Sequence, residues 1–124
     1  MPLEFEDLTA KIIGAAIEVH RSLGPGFLES VYENALVLEL RKRGLKAEQQ
    51  KEILIRYDAV EVGKHRLDLF VEDEIVVDLK TVKCFDDIHF AVVKSQLRAD
   101  GRKHGLLLNF ANVKLEVKRV ISGL

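Results

Sequence analysis

One cysteine, Cys84, stands alone in 124 residues, so the chain can close no internal disulfide, and no His or Cys residues fall at zinc-ligand spacing. A partly buried thiol is the expected role for it. An excess of charge of one sign is missing too. The 19 Lys and Arg against 20 Asp and Glu leave a formal net charge of -1, which offers no overall attraction for a polyanion. Any contact with phosphate must then be local or run through a metal. No apolar run approaches the roughly 20 residues that span a bilayer, and the acidic start MPLEFEDL has neither the positive nor the apolar region of a signal peptide. The expectation is a cytoplasmic protein with no membrane contact. Repeats, linkers and low-complexity segments are also absent. Residues 1–124 therefore read as a single domain with one core, 48% hydrophobic and with mixed charges.

What is present concentrates in HRLDLFVEDEIVVDLKTV, His65 to Val82, where acids and a lysine sit inside an apolar β pattern. Arg66 to Val71 and Ile75 to Thr81 flank the polar triplet Glu72, Asp73, Glu74 and read as a hairpin with a three-residue loop. With Val71 opposite Ile75, Phe70 meets Val76, Leu69 meets Val77 and Asp68 meets Asp78, with Lys80 further along the same face. The other face is then Leu67, Leu69, Val71, Ile75, Val77 and Leu79, apolar throughout, whereas a one-residue slip would mix acids into it. Two facing carboxylates either push one pKa up or require a cation. Oxygen-only ligation suits Mg²⁺ or Mn²⁺, and Lys80 could hold a phosphate or polarise a water beside it. A solvated face or an ordinary ion pair is the plainer reading of the same spacing.

Upstream, the apolar positions from Glu6 to Leu23 predict a first helix stopped by Gly24-Pro25-Gly26, with His20 as a hydrogen-bonded structural histidine beside its stripe. A second helix is expected from Phe27 or Leu28 to about Arg43, packing through Leu28, Val31, Tyr32, Ala35, Leu36 and Leu38 or Glu39. Glu29 falls in its first turn, where the helix dipole favours the ionised form. A strand begins near Lys51 and alternates Ile53, Ile55 and Tyr57, while Ala59 to Val62 fits either strand or loop. A third helix spans about Asp87 to Asp100 with Ile88, Ala91, Val92, Ser95 and Leu97 inward. Gly105 to Ala111 reads as a buried strand, and Lys114 to Ile121 as an edge strand. The order predicts a mixed central sheet flanked by helices, an α/β fold of the α+β kind.

The residues Gly26-Phe-Leu-Glu29-Ser-Val-Tyr32 resemble the signature of the small GxxExxY proteins, and the likeness continues through RLDLFVEDEIVVDLKTV and GLLLNFA, from about Leu8 to Val120. That family resembles the PD-(D/E)XK nuclease superfamily. The resemblance implies a restriction-endonuclease-like αβββαβ core with an extra N-terminal helix. It implies Asp68 as the aspartate of the nuclease motif, Asp78 and Lys80 as the acid and lysine of (D/E)-x-K, and Glu29 as a further carboxylate from the first core helix. On this basis Asp68, Asp78 and Glu29 are expected to hold Mg²⁺ or Mn²⁺, Lys80 to act in catalysis, and DNA or RNA to be the partner; because the net charge offers a polyanion little attraction, a homodimer or another partner could supply the missing surface. Leu67 replaces the proline of the motif's name. Val92 and Gln96 stand where relatives carry a glutamine and then a tyrosine in the third core helix, which opens an alternative: a module of nuclease fold that binds a protein or nucleic acid without cutting.

Overall fold

Glycines with positive φ end the first helices, and the resulting corner carries the chain onto its sheet. The computed structural model describes residues 2–122, with side chains from Phe5 onward. Helix α1 (Pro2–Leu23) starts earlier than its apolar stripe suggests and stops before Gly24, whose φ is 72°. Helix α2 (Glu29–Lys42) begins with Leu28 as N-cap. Between them the buried Tyr32 hydroxyl donates to the Gly24 carbonyl at 2.6 Å and accepts the Phe27 N–H at 3.2 Å, so one side chain ties both arms of the corner. Its ring stacks on Phe110 at 4.6 Å, a contact worth about 0.5–1.5 kcal/mol beyond its burial.

The inward stripe of α2 is Tyr32, Glu33, Leu36, Val37 and Leu40, whereas Leu28 and Leu38 are exposed. The expected stripe is thus shifted, because the helix axis is set by Tyr32 and its packing on the sheet rather than by the most apolar face.

The sheet runs β1 (Ala47–Tyr57), β2 (Val60–Val71), β3 (Ile75–Lys80), β4 (His104–Asn109), β5 (Glu116–Ile121), in that spatial order. Neighbours are antiparallel except β3 and β4, which are parallel and joined through α3 (Asp87–Asp100). Strand β1 begins four residues before Lys51, and Ala59 to Val62 resolves into the turn Asp58–Ala59, both left-handed, followed by β2. Helices α1 and α2 cover one face through Leu69, Val71, Ile75, Val77, Leu79, Leu106 and Leu108. Helix α3 covers the other through Phe70, Val76 and Leu107, meeting them with Val93 and Leu97. This is the mixed, helix-flanked sheet the element order predicts.

Two expectations are corrected here. Helix α3 is rotated: Val93, Gln96 and Leu97 face inward, while Ile88 is 62% exposed. The glycine at 105 explains the phase, since a Cβ there would lie 2.9 Å from Val93 Cγ1; the bare backbone lets Val93 seat against β4. The second correction is Leu67, which leaves the α2 face and packs in the α3 core with Ile53. Alternation breaks on both strands at one level. Ala47 and Gln49 turn toward α2, whereas Lys51 and Ile53 turn toward α3. Gln50 lies between them at φ 54°, and no ladder pair joins Gln50 to Asp68. The hairpin thereby rolls over, and residues beyond this point form an arm projecting past β3.

Candidate active site

The same rollover builds the site. Strand β2 pairs with β3 only as Leu69–Val77, Phe70–Val76 and Val71–Ile75, the register expected from the loop, which closes through Glu72 and Asp73 in left-handed conformation. The next expected pair, Asp68–Asp78, is not a ladder pair. Strand β2 diverges, and the Asp68 carboxylate instead accepts the main-chain N–H of Leu79 at 2.9 Å. The two carboxyls nevertheless meet: burial first, then a hydrogen bond and charge repulsion from Asp78, push Asp68 up to about 8. Asp68 therefore favours its protonated form near neutral pH.

Asp78 is 4% exposed, and its Oδ1 accepts from Lys80 Nζ at 2.9 Å. Burial pulls the Lys80 pKa down, but the Asp78 hydrogen bond and the charges of Asp78, Glu29 and Asp68 outweigh it and leave the ammonium raised. Glu29 comes from the first turn of α2, half-buried. The dipole argument would hold it ionised, yet its pKa is raised, by burial first and by Asp78 and Glu33, with Lys80 and the Thr81 main chain pulling the other way. Desolvation outweighs the helix terminus. Asp68, Asp78, Lys80 and Glu29 are thus brought into one electrostatic cluster where β2 leaves β3.

Glu33, one turn after Glu29, escaped notice as a site residue. It is buried, and the Gln49 and Gln50 amides donate to it at 2.6–3.0 Å, which anchors the rollover beside Asp68. The signal available in the sequence was its i,i+4 spacing from Glu29 on one face of α2. Gln96 is buried on α3 with its Oε1 unpaired among the described residues, and no hydrogen bond joins it to the acids. Cys84 is exposed rather than partly buried. His20 is the structural histidine expected, with Nε2 2.8 Å from the Asn112 carbonyl.

The donors at the cluster are hard oxygens, the set that suits Mg²⁺ or Mn²⁺. Among the described residues no three acidic, histidine or cysteine side chains converge as a ready cage. The fit is one of charge and donor chemistry: Asp68 is held protonated beside Asp78, a cation there could replace that proton, and Mg²⁺ keeps several waters as ligands.

A mixed sheet with helices on both faces, split at its centre over two aspartates and a lysine, defines a nuclease-like fold of the restriction-endonuclease type. A family model described as the PD-(D/E)XK nuclease superfamily matches residues 6–120, and the chain belongs to that superfamily. The crystal structure of SSO0001 is similar in fold, with a TM-score of 0.62 at 19% identity over 77% of this chain. The chain spans about half of that protein, since 50% of SSO0001 is covered. No curated protein matches the sequence significantly. Among the described residues, no helix is long and apolar enough to cross a membrane.

Proposed function

We propose that this chain is a metal-dependent nuclease that hydrolyses phosphodiester bonds of nucleic acid, with Asp68, Asp78 and Glu29 holding Mg²⁺ or Mn²⁺ and Lys80 acting on the phosphate. The observation that carries the reading is the meeting of Asp68 and Asp78 at the strand split, with Lys80 on the second carboxylate. Leaving two buried acids together has no packing benefit. An Asn at 68 would accept the Leu79 N–H equally well without a second acid, so the pair points to a bound cation.

Bound there, Mg²⁺ or Mn²⁺ would supply Lewis-acid stabilisation of the charge that builds on the phosphate during attack. Asp68 would release its proton to solvent when a cation bound, while the Leu79 N–H keeps its carboxylate oriented. Lys80 stays protonated because three acids surround it, so it serves as a fixed positive charge against the phosphate rather than as a base. Glu29 enters from the α2 corner, whose shape Tyr32 fixes through Gly24 and Phe27.

The test combines calorimetric Mn²⁺ titration with cleavage of labelled single- and double-stranded DNA and RNA at low salt. Asp78→Asn is expected to weaken Mn²⁺ binding by tenfold or more, and Lys80→Ala to abolish cutting with Mn²⁺ affinity retained. Unchanged Mn²⁺ affinity in Asp78→Asn would overturn the metal assignment. A metal-loaded protein that cuts none of the substrates would favour the binding-module alternative, which Val92 on α3 supports by lacking the polar group of its relatives.

A further inference from the structure

Beyond the acids, a groove of about 500 Å³ lies between the arm and α3, with Leu54, Ile55, Arg56 and His65 on one wall and Ser95 and Arg98 on the other. The Ser95 hydroxyl donates to the Val92 carbonyl at 2.7 Å and so accepts from His65 Nε2 at 2.9 Å, which ties the arm to the helix along the groove. The arginines are distributed unevenly. Arg21, Arg43 and Arg66 form ion pairs, Arg41 donates to the Ala47 carbonyl, Arg119 donates to Thr9, and Arg102 lies over the Phe70 ring. Of the eight arginines only Arg56 and Arg98 have no such partner among the described residues, and both line this groove. Arg98 is favoured where it stands by the C-terminal end of α3. Arg56 has no such reason. Its ladder partner is Glu61, and yet no ion pair forms between them.

The groove also belongs to the same strand as one of the acids. His65 precedes Asp68 by three residues on β2, roughly 10 Å of strand. A nucleic-acid strand whose scissile phosphate sat at Asp68 and Asp78 would carry its neighbouring phosphates into the groove. We propose that Arg56 and Arg98 grip the sugar–phosphate backbone there from opposite walls, with the His65–Ser95 pair between them, so that a protein of net charge -1 holds a polyanion through one local track. This rests on the nuclease reading above for its choice of ligand. Contacts of this kind position the strand and carry no sequence information.

The test is fluorescence anisotropy of a labelled twelve-residue oligothymidylate in EDTA at low salt. Arg56→Ala and Arg98→Ala are each expected to weaken binding roughly three- to tenfold and to reduce the slope of log affinity against log salt by about 0.7 per lost phosphate contact. Arg21→Ala removes the same charge from the opposite layer and is expected to bind as the parent does. Melting curves confirm that each variant is folded, and Arg56→Lys is expected to recover the salt slope. No binding by the parent protein, parent-like binding by Arg56→Ala and Arg98→Ala, or an equal loss in Arg21→Ala would each overturn the groove. Chelator keeps the two readings apart. Cleavage without groove binding discards the groove alone, and groove binding without cleavage discards the nuclease alone.

Discussion

Asp68 replaces a strand: its carboxylate accepts the Leu79 N–H at 2.9 Å, the bond that the β2 backbone would have offered had it stayed beside β3. The buried amide is thus satisfied without a ladder, and an acid is brought to Asp78 in the process. Asp68→Ala would strand that N–H at a cost of about 1–3 kcal/mol. Asp68→Asn keeps the acceptor and removes only the ability to ionise.

That contrast gives a pH prediction for the metal-free protein. Below about pH 4, Asp68 is protonated in both folded and unfolded chains. From there to about 8 the folded chain holds the proton and the unfolded one does not, so this group makes stability fall as pH rises through that window. In EDTA, Asp68→Asn is expected to melt higher than the parent at pH 8, by roughly 4 °C or more, and close to it at pH 4. Equal melting temperatures at pH 8 would mean that the pair is not strained.

A second prediction concerns Gln50, which is left-handed and donates to both oxygens of Glu33. Alanine loses the amide and still carries a Cβ in a conformation that costs it about 1–2 kcal/mol, whereas glycine loses the amide alone. Chemical denaturation should rank the parent above Gln50→Gly, and Gln50→Gly above Gln50→Ala by about 1 kcal/mol. The reverse order of the two variants would show that the strand relaxes to extended form once the Glu33 contact is gone.

Gly105 gives a third. An added Cβ would meet Val93 Cγ1 at 2.9 Å and the Val76 carbonyl at 3.3 Å, so Gly105→Ala should destabilise by about 1–3 kcal/mol. Adding Val93→Ala opens space at the closer contact. The double variant should lose less than the sum of the two single losses, and strict additivity in denaturant melts would place the clash elsewhere.

How far the sequence led can be traced at individual residues. The hairpin register from Val71–Ile75 to Leu69–Val77 is visible because a buried face tolerates no slip. It stops being visible at Asp68, where the rollover depends on Glu33 reaching Gln50 across 17 residues, a contact with no local signature. Leu67 was misplaced for that reason alone. The inward faces of α2 and α3 depart from the apolar stripes because Tyr32 and Gly105 fix their phases through tertiary contacts, which leaves the apolar Leu28 and Ile88 exposed. Asp68, Asp78, Lys80 and Glu29 could be picked out from the motif. The raised pKa of Glu29 could not, since burial sets it against the helix dipole.

The parallel pairing of β3 with β4 also orders events in time. Asp68, Asp78 and Lys80 all lie on β2 and β3, which a short loop joins, while β4 can dock only after α3 has crossed the sheet. A short loop costs little entropy to close, so β2–β3 pairing is expected to precede docking of β4, while the meeting of the two aspartates waits on the Glu33–Gln50 contact that fixes the rollover. Assembly of the meander works against its own charge at neutral pH. A proton on Asp68 relieves that repulsion as the two carboxyls approach.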